Sequence, residues 1–186
     1  MLLKRFFDFF FALLFLILFS WLILLLCIIA FLDTKENGFF IQERIGQFGT
    51  KFDIYKIRTM RLPKESTRLY VSKTGKFIRK HKFDELPQLI NILKGEMSFV
   101  GPRPDITGYY DLLDGENVKV LNLKPGLTCA ASLKYFNEDE LLEKHINPLE
   151  YNDKIIFPDK VKMNLDYYYR RSFWKDIVII WKTLTH

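Results

Sequence analysis

Residues 9–32 read FFFALLFLILFSWLILLLCIIAFL, a run without a single charged side chain. As an α-helix this run rises about 36 Å, more than the roughly 30 Å of a bilayer's hydrocarbon core. It is longer than the apolar part of a signal peptide, and no small-residue cleavage site precedes Asp33. Three readings are open: a single span, a helix that enters and leaves by one face, and a buried core helix. Lys4 and Arg5 precede the run, and Lys35, Arg44 and Lys51 follow it. By the positive-inside rule both ends belong on the cytoplasmic side. A single span cannot satisfy that, whereas a re-entrant helix can. Its break is expected at Ser20, whose hydroxyl can bond a carbonyl one turn back, although no proline is present to force the bend.

Outward from this segment, residues 34–186 are long enough for one domain, so the expected division is 1–33 membrane helix and 34–186 a single folded domain. With 49% hydrophobic residues the chain can build a core without disulfides. The net charge of +6 suits anionic headgroups or phosphorylated substrates. It is not gathered into one basic tail, so nucleic acid is not an expected partner. Cys27 and Cys129 do not form a disulfide framework.

Phe39 to Ile45 and Phe52 to Met60 read as the strands of a hairpin around a turn at Gly46 to Thr50. Arg61 to Gly75 reads as a surface loop and Gly75 to Lys82 as a short basic helix. Leu86, Leu89, Ile90 and Leu93 recur at helical spacing, with Asp84 as N-cap, Pro87 in the first turn and Lys94-Gly95 closing the helix. Gly101-Pro102-Arg103-Pro104 is a stiff loop. Tyr109 to Val120, Glu138 to His145, Asn164 to Arg171 and Ser172 to Thr185 are helix candidates, and Pro125-Gly126 is a turn. The expected fold class is α/β, mostly helical: a single small domain with a short β-hairpin, anchored by the re-entrant helix and by interfacial amphipathic helices.

The sequence lacks a phosphate-binding Gly-rich loop, a His-Glu-x-x-His pair, zinc-type cysteine spacing and a Gly-x-Ser-x-Gly elbow. What remains is Asp84-Glu85 at a helix start, where negative charge is favoured, with basic residues before it and Arg103 after it. An ionised Asp84 in such surroundings is a nucleophile for phosphorus. The plainer reading is an N-cap beside a solvated Glu85. The cluster Glu138-Asp139-Glu140 reads as a solvated helix start rather than a metal site. Near the C-terminus, Tyr167, Tyr168, Tyr169, Phe173, Trp174 and Trp181 alternate with Arg170, Arg171, Lys175 and Lys182. This mix suits a headgroup zone or, equally, an amphipathic core helix.

Several motifs occur in order: Lys4-Arg5-x-x-Asp8, Tyr55-Lys56-Ile57-Arg58-Thr59-Met60, the run Asp84 to Ser98, Val100-Gly101-Pro102-Arg103-Pro104 and Lys124-Pro125-Gly126-Leu127-Thr128. With them the chain resembles the bacterial sugar transferase family, small monotopic polyprenol-phosphate phosphoglycosyl transferases. The resemblance implies that Asp84 attacks the β-phosphate of a UDP-sugar, releasing UMP. Polyprenol (undecaprenyl) phosphate then takes the phosphosugar. It implies Mg2+ held at Asp84 and Glu85, with Glu85 assisting catalysis through metal placement or in the second attack, and substrate or phosphate contacts from Lys56, Arg58, Arg79, Asn91, Arg103 and Asp166. Asn91 has a solvent-facing alternative, and Lys56 and Arg58 have the alternative of a solvated strand face. In that family the helix breaks at a Ser-Pro pair, where this chain has Ser20-Trp21. Asp8, one turn from Arg5, is expected to pair with it at headgroup level. The expected place is the inner membrane of a bacterium with the catalytic domain on the cytoplasmic face. Membrane lipids are expected partners and downstream glycosyltransferases candidate ones; the sugar and the oligomeric state stay open. The rival reading is a non-catalytic membrane-bound module that binds lipid or a partner.

Overall fold

The computed structural model describes residues 2–61 and 70–185, and they fall into two compact units. The first consists of Met1–Glu43 and Phe52–Gly95, the second of Arg44–Lys51 and Glu96–His186. The chain is mostly helical with short strands.

In the first unit, α1 runs from Leu2 to Thr34. It is long and apolar enough to cross a membrane, and at 1.5 Å per residue it is about 50 Å long. Asp8, Ala12, Leu26, Ala30 and Thr34 are buried on it, and half-buried Phe15, Phe19 and Leu22 fill the same face between them. The helical repeat therefore gives α1 one stripe turned to protein and a broad apolar remainder that includes exposed Phe10, Ile17, Trp21 and Leu32. The break expected at Ser20 is not seen. The helix continues through it, and Ser20 Oγ donates to the Ile17 carbonyl (2.9 Å). Residue 21 is tryptophan, whose N–H keeps the helical ladder closed where a proline would open it.

After α1 the chain folds back so tightly that a Cβ at Gly38 would stand 2.0 Å from the Cys27 carbonyl oxygen. Strands β1 (Phe39–Ile45) and β2 (Lys51–Ile57) then pair. The first agrees with its expected limits. The second is shorter, and Met60–Arg61 forms a separate strand β3, antiparallel to β4 (Tyr70–Val71). The central part of the expected Arg61–Gly75 loop, 62–69, lies outside the described residues. Helix α2 (Lys73–Lys80) is capped by Ser72, which accepts from the Gly75 N–H. A 3-10 turn, Phe83–Gln88, leads into α3 (Leu89–Lys94). Helix α3 stops at Gly95 (φ 86°), whose N–H bonds the Asn91 and Ile92 carbonyls, as Lys94-Gly95 led one to expect. Leu26 and Ala30 of α1 form a core with Ile57 and Ile78, backed by Phe83 and Leu86.

In the second unit, β5 (Ser98–Val100) and β6 (Gly126–Thr128) are parallel, with Ser98 opposite Gly126. A Cβ at Gly126 would meet the Gly101 nitrogen at 2.1 Å, so the two backbones touch where no side chain fits. The helix expected over Tyr109–Val120 is instead two 3-10 turns, Tyr110–Leu112 and Gly115–Asn122. Gly115, with φ +52°, separates them. Short helices α4 (Ala130–Lys134), α5 (Glu138–Glu143) and α6 (Pro148–Tyr151) precede α7 (Phe157–Arg170) and α8 (Phe173–Thr185). Among the described residues the unit's buried clusters include Ile45-Tyr110-Val120-Val161 and Val100-Leu123-Tyr167-Ile179.

Candidate functional site

Lys82, in left-handed conformation (φ 56°, ψ 20°), swings the chain into the 3-10 turn, which puts Asp84 and Glu85 in its first turn. Asp84 is therefore not the N-cap of a continuous helix, as the spacing suggested. The turn begins at Phe83, and α3 follows only after Pro87. Both carboxylates are buried, Asp84 at 7% and Glu85 at 6% exposure, so Glu85 is not solvated. Phe83 before them and Leu86 after them pack on the cluster that contains Leu26 and Ala30 of α1. The acidic pair thus sits in a turn braced on both sides by the apolar helix. Burial of a carboxylate is costly without partners, and each of the two has at least one hydrogen-bonding, ionic, ring or electrostatic interaction within the protein.

Helix α3, which follows the turn, is held by three side chains. Asn91, with no exposed surface, donates from Nδ2 to the Asp53 carbonyl (2.6 Å) and accepts at Oδ1 from the Tyr55 N–H (3.2 Å). Its amide bridges α3 to the backbone of β2 and does not face solvent. Arg5, from the other end of α1, donates to the Ile92 carbonyl from Nη1 (2.6 Å) and to the Leu93 carbonyl from Nη2 (2.8 Å). It caps the last carbonyls of α3, where a cation also meets the negative end of the helix. Asp8, expected to pair with Arg5, is buried at 3%. Lys94 Nζ reaches the Tyr55 hydroxyl (2.6 Å).

The other expected contacts divide between the units. Lys56 is half-buried on β2, and Arg79 is half-buried on α2. Arg58 is turned to the start of the hairpin: Nε donates to the Asn37 carbonyl (2.7 Å) and Nη1 lies 2.9 Å from Glu36 Oε2. Arg103 and Asp166 belong to the second unit. Arg103 is exposed, in a loop pinned by the Gly126 N–H on the Pro102 carbonyl (2.8 Å). Asp166 is engaged at the surface by Arg170 (2.9 Å) and Lys175 (3.5 Å). Glu138, expected to be solvated at a helix start, is half-buried and ion-paired with Lys160 (2.6 Å).

Among the described residues no group of three or more His, Cys, Asp or Glu is arranged to hold a metal. Asp84 and Glu85 are nevertheless hard oxygen donors, side by side. Magnesium commonly takes one or two such carboxylates and completes its shell with water and substrate phosphates. The donor set fits that mode. The site residue that sequence reasoning missed is Arg5 as a cap of α3; nothing in local spacing signals a contact across 87 positions.

A family model described as bacterial sugar transferase matches residues 1–186. The uncharacterized sugar transferase EpsL of Bacillus subtilis is 40% identical over 69% of this chain and 66% of its own length. A UDP-N-acetylgalactosamine-undecaprenyl-phosphate N-acetylgalactosaminephosphotransferase of Aeromonas hydrophila is 31% identical over 97% of this chain and 42% of its own. A UDP-glucose:undecaprenyl-phosphate glucose-1-phosphate transferase of Caulobacter vibrioides is 31% identical over 97% of this chain and 68% of its own. The chain thus spans between two fifths and about two thirds of the length of these curated relatives.

Proposed function

The chain belongs to the bacterial sugar transferase family, and on that premise we propose that it moves a sugar 1-phosphate from a UDP-sugar to undecaprenyl phosphate at the cytoplasmic face of a bacterial inner membrane. The observation that carries this reading is the buried pair Asp84-Glu85, set between Phe83 and Leu86 where these residues pack against α1. Joining a water-soluble donor to a lipid acceptor calls for a nucleophile held beside a lipid-embedded element, and this turn supplies one.

The chemistry follows from the carboxylate. An oxygen of Asp84 attacks the β-phosphorus of the UDP-sugar. The bond from that phosphorus to the bridging oxygen breaks, and UMP leaves with the electron pair. The resulting acyl phosphate carries the phosphosugar. A phosphate oxygen of undecaprenyl phosphate then attacks the same phosphorus, which forms the diphosphate linkage and frees the carboxylate. Magnesium, held at Asp84 and Glu85, would offset charge on the phosphate oxygens. Lys56 and Arg79 lie in the same unit as the pair and suit the same task. The product enters exopolysaccharide, capsule or related glycan assembly.

The membrane reading rests on α1. Arg5 near its start and Leu26 and Ala30 near its end all contact the same unit, through α3 at one end and Ile57 and Ile78 at the other. A helix tied to one body at both ends favours entry from a single face over a crossing that leaves its N-terminus outside. On α8, exposed Trp174, Val178, Trp181 and Leu184 form a stripe beside Lys175 and Lys182, which suits the headgroup zone. The deciding experiment incubates the purified chain with undecaprenyl phosphate, magnesium and a panel of UDP-sugars. UMP release with one or more of them is expected, and no release with any would overturn the assignment.

A further inference from the structure

The first unit carries a second basic feature that the transfer chemistry does not use. Apart from Arg79, there are four lysines between Val71 and Phe83 and no acid. Helix α2 sorts them by face. Gly75 and Ile78 are buried, while Lys73, Lys76, Phe77 and Lys80 are exposed on the opposite side. Phe77 keeps 57% of its surface open and lies against the ring of His81 (4.3 Å), which in turn stacks on Phe83 (5.7 Å, 23°).

Two contacts set the level of α2 along α1. At its start, Ser72 Oγ donates to Asp33 Oδ2 (2.5 Å), at the end of the apolar helix. Further on, Ile78 packs with Ala30 and Leu26, one and two turns back into that helix. Helix α2 therefore runs beside the last two turns of α1, where Leu25, Ile28, Phe31 and Leu32 are exposed. The lysines of α2, with an aromatic ring among them, are thus carried beside the end of the apolar helix. Basic side chains interleaved with an aromatic residue are the composition that binds anionic bilayer surfaces.

We propose that this outward face of α2 docks on the anionic phospholipid headgroups of the bilayer that holds α1. It forms a contact separate from the apolar anchor and sensitive to lipid charge. The proposal needs the membrane attachment of α1 but not the transferase reaction, so its test uses no activity.

The full chain, with Cys27→Ala and Cys129→Ser, receives Phe77→Cys labelled with an environment-sensitive fluorophore. It is reconstituted in phosphatidylcholine vesicles, with or without 30% phosphatidylglycerol, both doped with lipid spin-labelled near the headgroup. The expected result is at least threefold stronger quenching with phosphatidylglycerol. That gain should vanish in high salt, which shortens the screening length, and in the K73Q/K76Q/K80Q variant. Flotation with vesicles in every arm reports α1 alone. Equal quenching in the two bilayers, or a gain that survives the triple substitution, overturns the proposal. So does a gain produced in phosphatidylcholine by inorganic phosphate, which would mark a site for a free anion. The parent protein's response to lipid and salt decides the matter even where the triple variant folds poorly.

Discussion

Arg5 Nη1 lies 2.6 Å from the carbonyl oxygen of Ile92, so a residue at the start of the apolar helix caps the helix that follows the acidic turn. With its second bond to Leu93, the guanidinium satisfies two of the carbonyls that α3 leaves open. Replacing Arg5 by Gln should lower stability by about 1.5–3 kcal/mol, the usual scale for hydrogen bonds from a charged donor. Arg5→Lys should recover only part, because an ammonium does not present the planar fork. Thermal unfolding of both variants in the same detergent checks this.

Asp84→Asn keeps the side chain's shape and removes the carboxylate oxygen that the proposed reaction uses. UMP release from a UDP-sugar should fall to background while the protein stays folded and vesicle-bound. In the parent, a UDP-sugar supplied without lipid acceptor should add the mass of one phosphosugar to the peptide carrying Asp84. Chelating magnesium should suppress both signals. Full activity of the variant would return the acidic pair to a structural role.

Asn91→Ala deprives the Asp53 carbonyl and the Tyr55 N–H of their partner at a fully buried position. A loss of roughly 1–3 kcal/mol is expected from the unsatisfied groups. Asn91→Asp keeps the acceptor but loses the donor to Asp53 and should fare no better than intermediate. Denaturant titration reads both.

Asp159 supplies a pH test in the second unit. Hydrogen bonds from Lys134 Nζ (2.7 Å) and the Tyr135 hydroxyl (2.8 Å) hold its carboxyl below the ordinary value of 3.8. The folded state therefore binds this proton less readily than the unfolded chain. Its stabilisation is present above the ordinary value and fades as pH falls through the lowered one. Asp159→Asn should be less stable than the parent at neutral pH, and the gap should close in strong acid. A gap that widened as pH fell would contradict the assignment.

What could be read from the residues was what local periodicity controls. Phe39–Ile45 was legible as a strand, and Gly95 marked the end of α3 because a left-handed C-terminal position favours glycine. The start of the acidic turn was not legible, since a lysine at positive φ carries no signal of type. Tyr109–Val120 looked helical, yet Gly115 divides it into two tighter turns. Asp84 and Glu85 were found by motif. Their burial against Phe83, Leu86 and α1, the bridging of Asn91 and the reach of Arg5 are all tertiary, and only coordinates could reveal them.

The buried stripe on α1 also fixes an order of events during synthesis. Its covering residues, α3 above all, are encoded after the hairpin and α2. At roughly 5–20 residues per second the ribosome needs about 3–12 s to make Lys35 through Lys94. For that interval the nascent anchor has no α3 against which to bury Asp8 and Ala12. A carboxylate facing hydrocarbon is costly, so if α1 enters the membrane first, Asp8 is expected to stay near the water boundary until α3 is made.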